Sequence, residues 1–140
     1  MRYSLWNLCA QSDAADVIAT LESSDFLIRE VDTTGVRSAE DFRTRCGETF
    51  GFQAGGWDSF ADDMWMALLP DDDETKVAFA WYHADALLDD NLGVLLTAMD
   101  LLTTIGRAAY TEGIEVITFA FGHGPNFPPV DLADMFPITE

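Results

Sequence analysis

Three short apolar runs along the chain have the length and composition of β-strands. They cover residues 26–31, 77–82 and 114–121. The middle run, Val-Ala-Phe-Ala-Trp-Tyr, is apolar at nearly every position, which is typical of a strand covered on both faces. Strands that alternate with helices form parallel sheets with right-handed crossovers. The pattern therefore predicts an α/β fold with a three-stranded parallel sheet, the 26–31 strand at its centre and helices on both faces.

Helical patterns occupy the segments between these strands. The first helix is expected to begin at the N-cap residue Ser38, which has an acid three residues later, and to end at Gly47. A helix over residues 92–111 has apolar residues at the 3.6-residue spacing, and residues 85–90 form a connector before it. A further helix is expected over residues 57–68, where the apolar residues that form a buried stripe are Trp57, Phe60, Met64 and Leu68.

The two ends of the chain lie outside this pattern. Residues 1–25 hold a short apolar piece at 3–9 and a predicted helix at 12–21, which either add an edge strand or cover the sheet. Residues 122–140 contain four of the five prolines and little periodicity, so we expect a tail without a packed element. The predicted organisation is an N-terminal extension (1–25), a central domain (26–121) and a C-terminal tail (122–140).

The charge of the chain restricts its partners. Seven Lys and Arg stand against 25 Asp and Glu, which gives a formal net charge of −18. Such an excess repels nucleic acid and anionic membranes and attracts a basic partner, although solubility alone explains it equally well. No apolar run approaches a membrane span, and the N-terminal stretch is too short for a signal peptide. Cys9 and Cys46 have no metal or redox spacing, which indicates reduced thiols in a cytoplasmic protein.

The sequence lacks the motifs that an enzyme would need. Its only histidines, His83 and His123, have no Cys, Asp or Glu at zinc-ligand spacing. The acidic run at 71–74 lacks the spacing and the central glycine of a calcium loop. Asp58 and Asp62 could form the carboxylate pair of a glycoside hydrolase, but no cleft is indicated that would raise the pKa of one of them. We therefore expect no catalytic residue, no metal and no cofactor.

The segment 52–69 combines glycines, aromatic residues and three carboxylates. Asp58 and Asp62 are four residues apart, so they share one helix face and destabilise the helix by about a few tenths of a kcal/mol. A carboxylate in the first turn, such as Asp58, interacts favourably with the helix dipole. Asp62 and Asp63 lie one turn later, where this effect fades. A cationic partner would relieve the repulsion.

This segment and the order of the elements resemble the barstar family of intracellular ribonuclease inhibitors. The resemblance runs from about Phe26 to Phe121. Phe52 matches the aromatic residue that precedes the inhibitory helix of the family, and Trp57-Asp58-Ser59-Phe60-Ala61-Asp62 matches the core of its acidic motif without gaps. Glu112-Gly113 fixes the register of the long helix and places Asp100 where the family has an additional acidic contact. The resemblance implies a three-stranded parallel sheet with helices on both faces.

Several positions of the motif depart from the family, and Ala54-Gly55 replaces the usual Gly and its neighbour. Gly56 stands where Asn is usual, Ala61 stands where a contacting Trp is usual, and Asp63 replaces a Cys. The acid positions are kept, whereas the uncharged contacts differ.

The resemblance implies a bacterial, cytoplasmic immunity protein or antitoxin without catalytic activity. It would occlude the active site of a basic secreted ribonuclease as a monomer in a 1:1 complex, its carboxylates standing in for nucleic-acid phosphates. An alternative, favoured by Gly56 and Ala61, is a barstar-fold module that neutralises a different toxin such as a DNase. Asp62 is expected to be the central contact, and the expected partner-binding residues are Phe52, Gly55, Gly56, Asp58, Asp62, Asp63 and Asp100.

Overall fold

A computed structural model of the 140-residue chain describes residues 5–70 and 74–136. Four parallel strands form one sheet in the order β1-β4-β3-β2. The strands are β1 (Trp6–Ala10), β2 (Leu27–Asp32), β3 (Lys76–Tyr82) and β4 (Glu115–Gly122). The predicted combination of a parallel sheet with helices is confirmed. The predicted number of strands is wrong, because the sheet has four strands and not three.

Helical segments connect all consecutive strands. A short 3₁₀ helix (Gln11–Asp13) and α1 (Ala14–Ser23) lead from β1 to β2, and α2 (Ala39–Phe50) and α3 (Trp57–Leu68) lead from β2 to β3. The connection from β3 to β4 consists of α4 (Asp85–Asp90) and α5 (Leu92–Tyr110), and a short α6 (Leu132–Met135) follows β4. The predicted bounds of α3 are confirmed. Of the acidic run at 71–74, residues 71–73 lie outside the described residues.

The centre of the sheet is not where the sequence placed it. β2, the predicted central strand, lies at one edge and pairs only with β3. β3 pairs with both β2 and β4, and its residues from Val77 to Trp81 are fully buried. A strand that is apolar on both faces has to be covered on both faces. The continuous apolar run of β3 was therefore the correct indication of a central strand.

Strand β1 completes the sheet. Residues 6–9 of the predicted apolar piece at 3–9 lie in β1, which pairs with β4 from Trp6↔Thr118 to Ala10↔Gly122, while residues 3 and 4 lie outside the described residues. Helix α1 then packs on the sheet through Val17 and Leu21, both fully buried. The two alternatives left open by the sequence both occur, because the strand extends the sheet and the helix covers it.

The sheet separates two apolar cores. The front core lies under α2 to α5, and it includes Val31, Phe42, Cys46, Phe60, Met64, Leu68, Val77, Phe79, Trp81, Leu95 and Leu102. The back core lies under α1, and it includes Cys9, Val17, Leu21, Phe26, Ala78, Ala80, Ile117, Phe119 and Phe121. Successive side chains of a strand point to opposite faces, so Ala78 joins the back core and Phe79 the front core. Helices therefore cover both faces of the sheet.

Helix α2 continues beyond its predicted end. It passes through Gly47 to Phe50 and ends at Gly51, which has a left-handed φ of 85°. Gly47 is buried, and a Cβ atom at this position would collide with the carbonyl oxygen of Phe52. The glycine at 47 therefore permits the close approach of the following loop and does not mark the end of the helix.

The C-terminal segment is packed, contrary to the prediction of a tail without a packed element. Phe127 is 3% exposed in the front core, whereas Val130 and Phe136 pack against the back core. Between them, the Pro128 carbonyl accepts a hydrogen bond from the Ala10 N–H at 2.9 Å. The segment thus passes from the front to the back of the sheet beyond the end of β1. Pro137 lies outside the described residues.

Helix α5 satisfies the length and composition of a membrane span. It has 19 residues, and its mean hydropathy reaches 1.3. Its buried residues, such as Leu95 and Leu102, lie in the front core, whereas Asp100 and Arg107 on its other face are exposed. A core helix passes the same test, so the finding is weak support for a membrane span. The expectation that no run approaches a membrane span was too strict for this helix.

Candidate functional site

Helix α3 presents two stripes of opposite character. Phe60, Met64 and Leu68 are at most 1% exposed and lie in the front core, while Trp57 is half-buried at the start of the helix. The buried stripe predicted from the spacing is therefore confirmed, with Trp57 at its margin. Residues four apart lie on one helix face. The opposite stripe, which faces solvent, consists of Asp58, Asp62 and Met66.

The carboxylates of α3 have no compensating cation in the described part of the chain. Asp58 and Asp62 are exposed, and Asp63 is half-buried. The ion pair described there joins Arg37 and Asp90, with 3.2 Å between Nε and Oδ2, and both belong to other segments. The like-charge repulsion expected from the sequence is therefore not relieved by the described residues.

An arginine holds the loop that precedes α3. The Arg43 Nε atom donates a hydrogen bond to the Gly55 carbonyl oxygen at 2.8 Å, and the guanidinium lies over the Trp57 ring, 4.8 Å from its centroid. Both contacts link α2 to the start of α3. The sequence carried no signal for this role of Arg43, because its contacts are made across twelve or more residues of chain. One of the few basic side chains is thus used to hold this loop, and its described contacts are with Gly55 and Trp57.

The two glycines of the loop have different surroundings. A Cβ atom on Gly55 would meet the Ser59 hydroxyl oxygen, which would have to rotate away. Gly56 is the N-cap of α3, and a Cβ atom there would meet no described atom within 4 Å. Its φ of −73° is accessible to any residue. Within the described part of the chain, no contact or backbone constraint therefore requires a glycine at 56, where the backbone is open to solvent.

The start of α3 rests on a cluster of aromatic rings. Phe60 contacts Trp57, Phe52 and Phe42 at centroid distances of 5.5, 6.0 and 5.7 Å. Phe42 in turn lies 4.7 Å from Trp81 of the central strand. The predicted binding residue Phe52 is therefore a half-buried member of this cluster. The rings fix the acidic end of α3 to the middle of the sheet.

Asp100 is separate from this unit. It is exposed on α5, and the Thr104 hydroxyl donates to its backbone carbonyl at 2.8 Å. Its described contacts lie on its own helix and do not include the acids of α3. The structure thus brings together six of the seven predicted binding residues on one loop and helix, and these six are Phe52, Gly55, Gly56, Asp58, Asp62 and Asp63.

The sequence prediction missed Met66 as a surface residue. Its side chain is 73% exposed, four residues after Asp62 and on the same stripe. The spacing of four from Asp62 was available in the sequence and predicts this shared face. The solvent-facing stripe of α3 is therefore acidic in its first two turns and apolar at Met66.

The surface beside the start of α3 is shallow. A depression of about 370 Å³ lies next to the loop and is lined by Thr44, Glu48, Phe52, Gln53 and Ala54. Within residues 5–70 and 74–136, no group of three or more His, Cys, Asp or Glu side chains is arranged to hold a metal ion.

The two cysteines are buried free thiols on opposite faces of the sheet. Cys9 lies in the back core and Cys46 in the front core. Burial raises the pKa of each thiol to about 12, so neither is a nucleophile near neutral pH.

Comparison with known proteins shows similarity of fold alone. No family model matches the chain, and no curated protein matches it. A chain in the structure of Drosophila ORC bound to DNA is similar, with a TM-score of 0.53 and 8% sequence identity over 94% of this chain. This chain spans 33% of the length of that chain. At so low an identity the similarity concerns the arrangement of strands and helices.

Proposed function

We propose that this protein is a barstar-like inhibitor that binds and occludes the active site of a basic secreted ribonuclease. It acts by binding and not by catalysis, as a cytoplasmic immunity protein or antitoxin. The surface that makes the contact is the loop 52–56 with the exposed stripe of α3. The central residue is Asp62, with Asp58 and Asp63 beside it and Asp100 as an additional contact from α5.

The observation that supports this proposal most is the unpaired acidic stripe on a rigid support. Two exposed carboxylates four residues apart repel each other, and no described cation compensates them. The aromatic cluster and Arg43 nevertheless fix this end of α3 firmly. A preorganised cluster of like charge is costly to the free protein and useful to a complex in which the partner supplies the opposite charge.

The net charge agrees with a cationic partner. At −18, the chain attracts a basic protein over long distances and accelerates the encounter at low ionic strength. Such steering is established for the barnase–barstar pair itself, so the known rates describe that pair and not this chain. The Drosophila ORC assembly is bound to DNA. DNA binding is disfavoured for this chain, because its net charge of −18 would repel the negative DNA backbone.

The order of elements supports the barstar resemblance. The elements that follow one another as in the resemblance are β2, α2, α3, β3, α5 and β4, and the three strands are neighbours in the sheet. Helix α4 lies in the connector before the long helix, which is longer than in the family. The fourth strand, β1, and helix α1 precede this unit along the chain. They add to one edge and to the back face, away from the stripe of α3 on the front.

A second candidate is a module of the same fold that neutralises a different toxin, such as a DNase. The exposed Met66 favours it, because an apolar contact lies one turn after the acids. Gly56 and Ala61 also differ from the uncharged contacts that the resemblance implies. Both candidates share the acidic stripe and the cationic partner, and they differ in the enzyme that is inhibited.

The test compares two exposed aspartates. Asp62→Ala removes a charge from the α3 stripe, and Asp16→Ala removes the same charge from α1 on the back of the protein. We expect Asp62→Ala to weaken binding to the nuclease by about 2–5 kcal/mol, because a cationic group of the partner is left buried and unpaired. Asp16→Ala should leave the affinity nearly unchanged. Neither substitution should lower the free energy of unfolding by more than about 0.5 kcal/mol.

Calorimetric titration against a small basic ribonuclease and a small basic DNase of the source organism measures both affinities. Tight binding of the ribonuclease supports the first candidate, and tight binding of the DNase supports the second. Equal affinities for Asp62→Ala and Asp16→Ala would contradict the acidic stripe as the binding surface.

A further inference from the structure

Loops that follow three different strands meet at the carboxyl edge of the sheet. The Gln11 side chain, directly after β1, accepts a hydrogen bond through Oε1 from the backbone N–H of His83 at 3.1 Å. His83 directly follows β3, and His123 directly follows β4. In open parallel α/β sheets, ligands bind at this edge, where loops from different strands converge. The acidic stripe of α3 does not include any of these residues.

The two histidines of the chain are neighbours at this edge. Their ring centroids lie 5.9 Å apart, and the ring planes are inclined by 41°. An imidazole nitrogen binds zinc at about 2.0–2.1 Å, which places each ring centre about 3.2 Å from the ion and two such centres about 5.2 Å apart at the tetrahedral angle. The observed separation exceeds this value by about 0.7 Å. Side-chain rotation that closes this difference would let both rings bind one ion.

His83 is held in an uncommon backbone conformation. Its φ is 60°, in the left-handed region that few residues other than glycine adopt. Gln11 holds its N–H, and its carbonyl oxygen accepts a hydrogen bond from the Thr33 hydroxyl at 3.2 Å. Such conformations persist where the surroundings fix them, and they are common at functional sites.

His123 is exposed and lies in the turn after β4, between the buried strand residue Gly122 and Gly124, which has a φ of 103°.

We propose that His83 and His123 together bind one divalent transition-metal ion of the zinc class. Imidazole nitrogens suit Zn²⁺, Ni²⁺ and Cu²⁺, whereas Mg²⁺ and Ca²⁺ prefer oxygen ligands. No third His, Cys, Asp or Glu completes the set within the described residues, so water fills the remaining coordination positions. A zinc-ligand spacing is absent from the sequence because the two ligands come from separate loops that only the sheet brings together.

The test is a calorimetric titration of the full chain with Zn²⁺ alone. We expect one ion to bind per chain, and His83→Asn and His123→Asn each to weaken binding at least tenfold. Asparagine is chosen because it tolerates a left-handed backbone at position 83. Asp131→Asn, an exposed carboxylate elsewhere on the surface, is the matched control and should bind Zn²⁺ like the parent. Absence of binding, or equal binding by the histidine variants, would overturn the proposal.

Proton NMR of the parent protein keeps the test valid if a variant fails to fold. The ring signals of both histidines should change together and reach their end point at one equivalent of Zn²⁺. One equivalent of Mg²⁺ should leave them in place. A response of one ring alone, or of neither, would show that the ion is held elsewhere and would overturn the proposal.

Discussion

The two faces of the sheet are covered in different ways. The front cover consists of α2 to α5, and its rings form a continuous cluster from Phe52 to Trp81. The back cover consists of α1 and the segment after His123, which contributes Val130 and Phe136. The front is built from periodic helices, while much of the back is built from irregular, proline-containing chain. The difference indicates that the acidic stripe of α3 has a rigid support of packed rings, whereas the back cover depends on how the segment after His123 packs.

The largest loss of stability is expected from a substitution in the front cover. Phe42 is 1% exposed and contacts Trp57, Phe60 and Trp81. Phe42→Ala should lower the free energy of unfolding by about 3–5 kcal/mol, because it leaves a cavity between α2, α3 and β3. Urea denaturation measures the change, with the exposed Thr44→Ala on the same helix as the control. A loss below about 1 kcal/mol would show that the ring cluster does not support the front cover.

An intermediate loss of stability is expected from removing the segment after Gly124, which contributes Phe127 to the front core and Val130 and Phe136 to the back cover. A chain that ends at Gly124 lacks Phe127, whose burial alone contributes about 1.5–3 kcal/mol. It also lacks the backbone hydrogen bonds of Pro128 with Ala10 and of Val130 with the Asp13 carboxylate. We expect the free energy of unfolding to fall by at least about 2 kcal/mol. Thermal and urea denaturation of the truncated chain check this, and an unchanged stability would mean that the segment is not part of the fold.

The smallest expected effect is the pH dependence of stability that arises from the two buried thiols, one under each cover. Burial raises the pKa of Cys9 and of Cys46 from 9.0 to about 12. Between these values the unfolded thiol loses its proton and the folded thiol keeps it, so stability falls as the pH rises above 9. Each thiol lowers the free energy of unfolding by at most about 1.4 kcal/mol for each unit by which the pH rises.

Cys9→Ala and Cys46→Ala separate the two covers. Each variant should show a smaller loss of stability between about pH 9 and 10 than the parent, measured by urea denaturation at the two pH values. An unchanged pH dependence in Cys9→Ala alone would show that the back cover leaves its thiol accessible to solvent. The same result in Cys46→Ala would show this for the front cover.

Periodic segments were predicted from the sequence with good accuracy. The bounds of α3 are those expected, and the predicted strands overlap β2, β3 and β4. Errors arose where a local signal had a tertiary cause. Gly47 was interpreted as the end of α2. It is a glycine for another reason, because a side chain there would collide with the loop that follows the helix. The prolines after His123 indicated an unpacked tail, although Pro128 and Pro129 lie between the buried Phe127 and the partly buried Val130 and only remove N–H groups.

The candidate site was predictable where it depends on helix spacing. The exposure of Asp58 and Asp62 opposite Phe60 and Met64 follows from a period of 3.6 residues. The support by Arg43 and the meeting of His83 with His123 depend on contacts between distant segments. Such contacts are fixed by the order of strands in the sheet, which the apolar pattern alone did not determine.

The pairing of β1 with β4 has a consequence for the growing chain on the ribosome. β1 is synthesised before the other strands of the sheet, but Thr118, the register partner of Trp6, follows about one hundred residues later. At about 5–20 residues per second, β1 waits roughly 5–20 s for its partner. During this time the front core of β2 and β3 can assemble, whereas β1 remains an unpaired edge. The protein therefore closes its sheet only after β4 has left the ribosome, and nascent chains that stop before β4 lack the strand that joins β1 to β3.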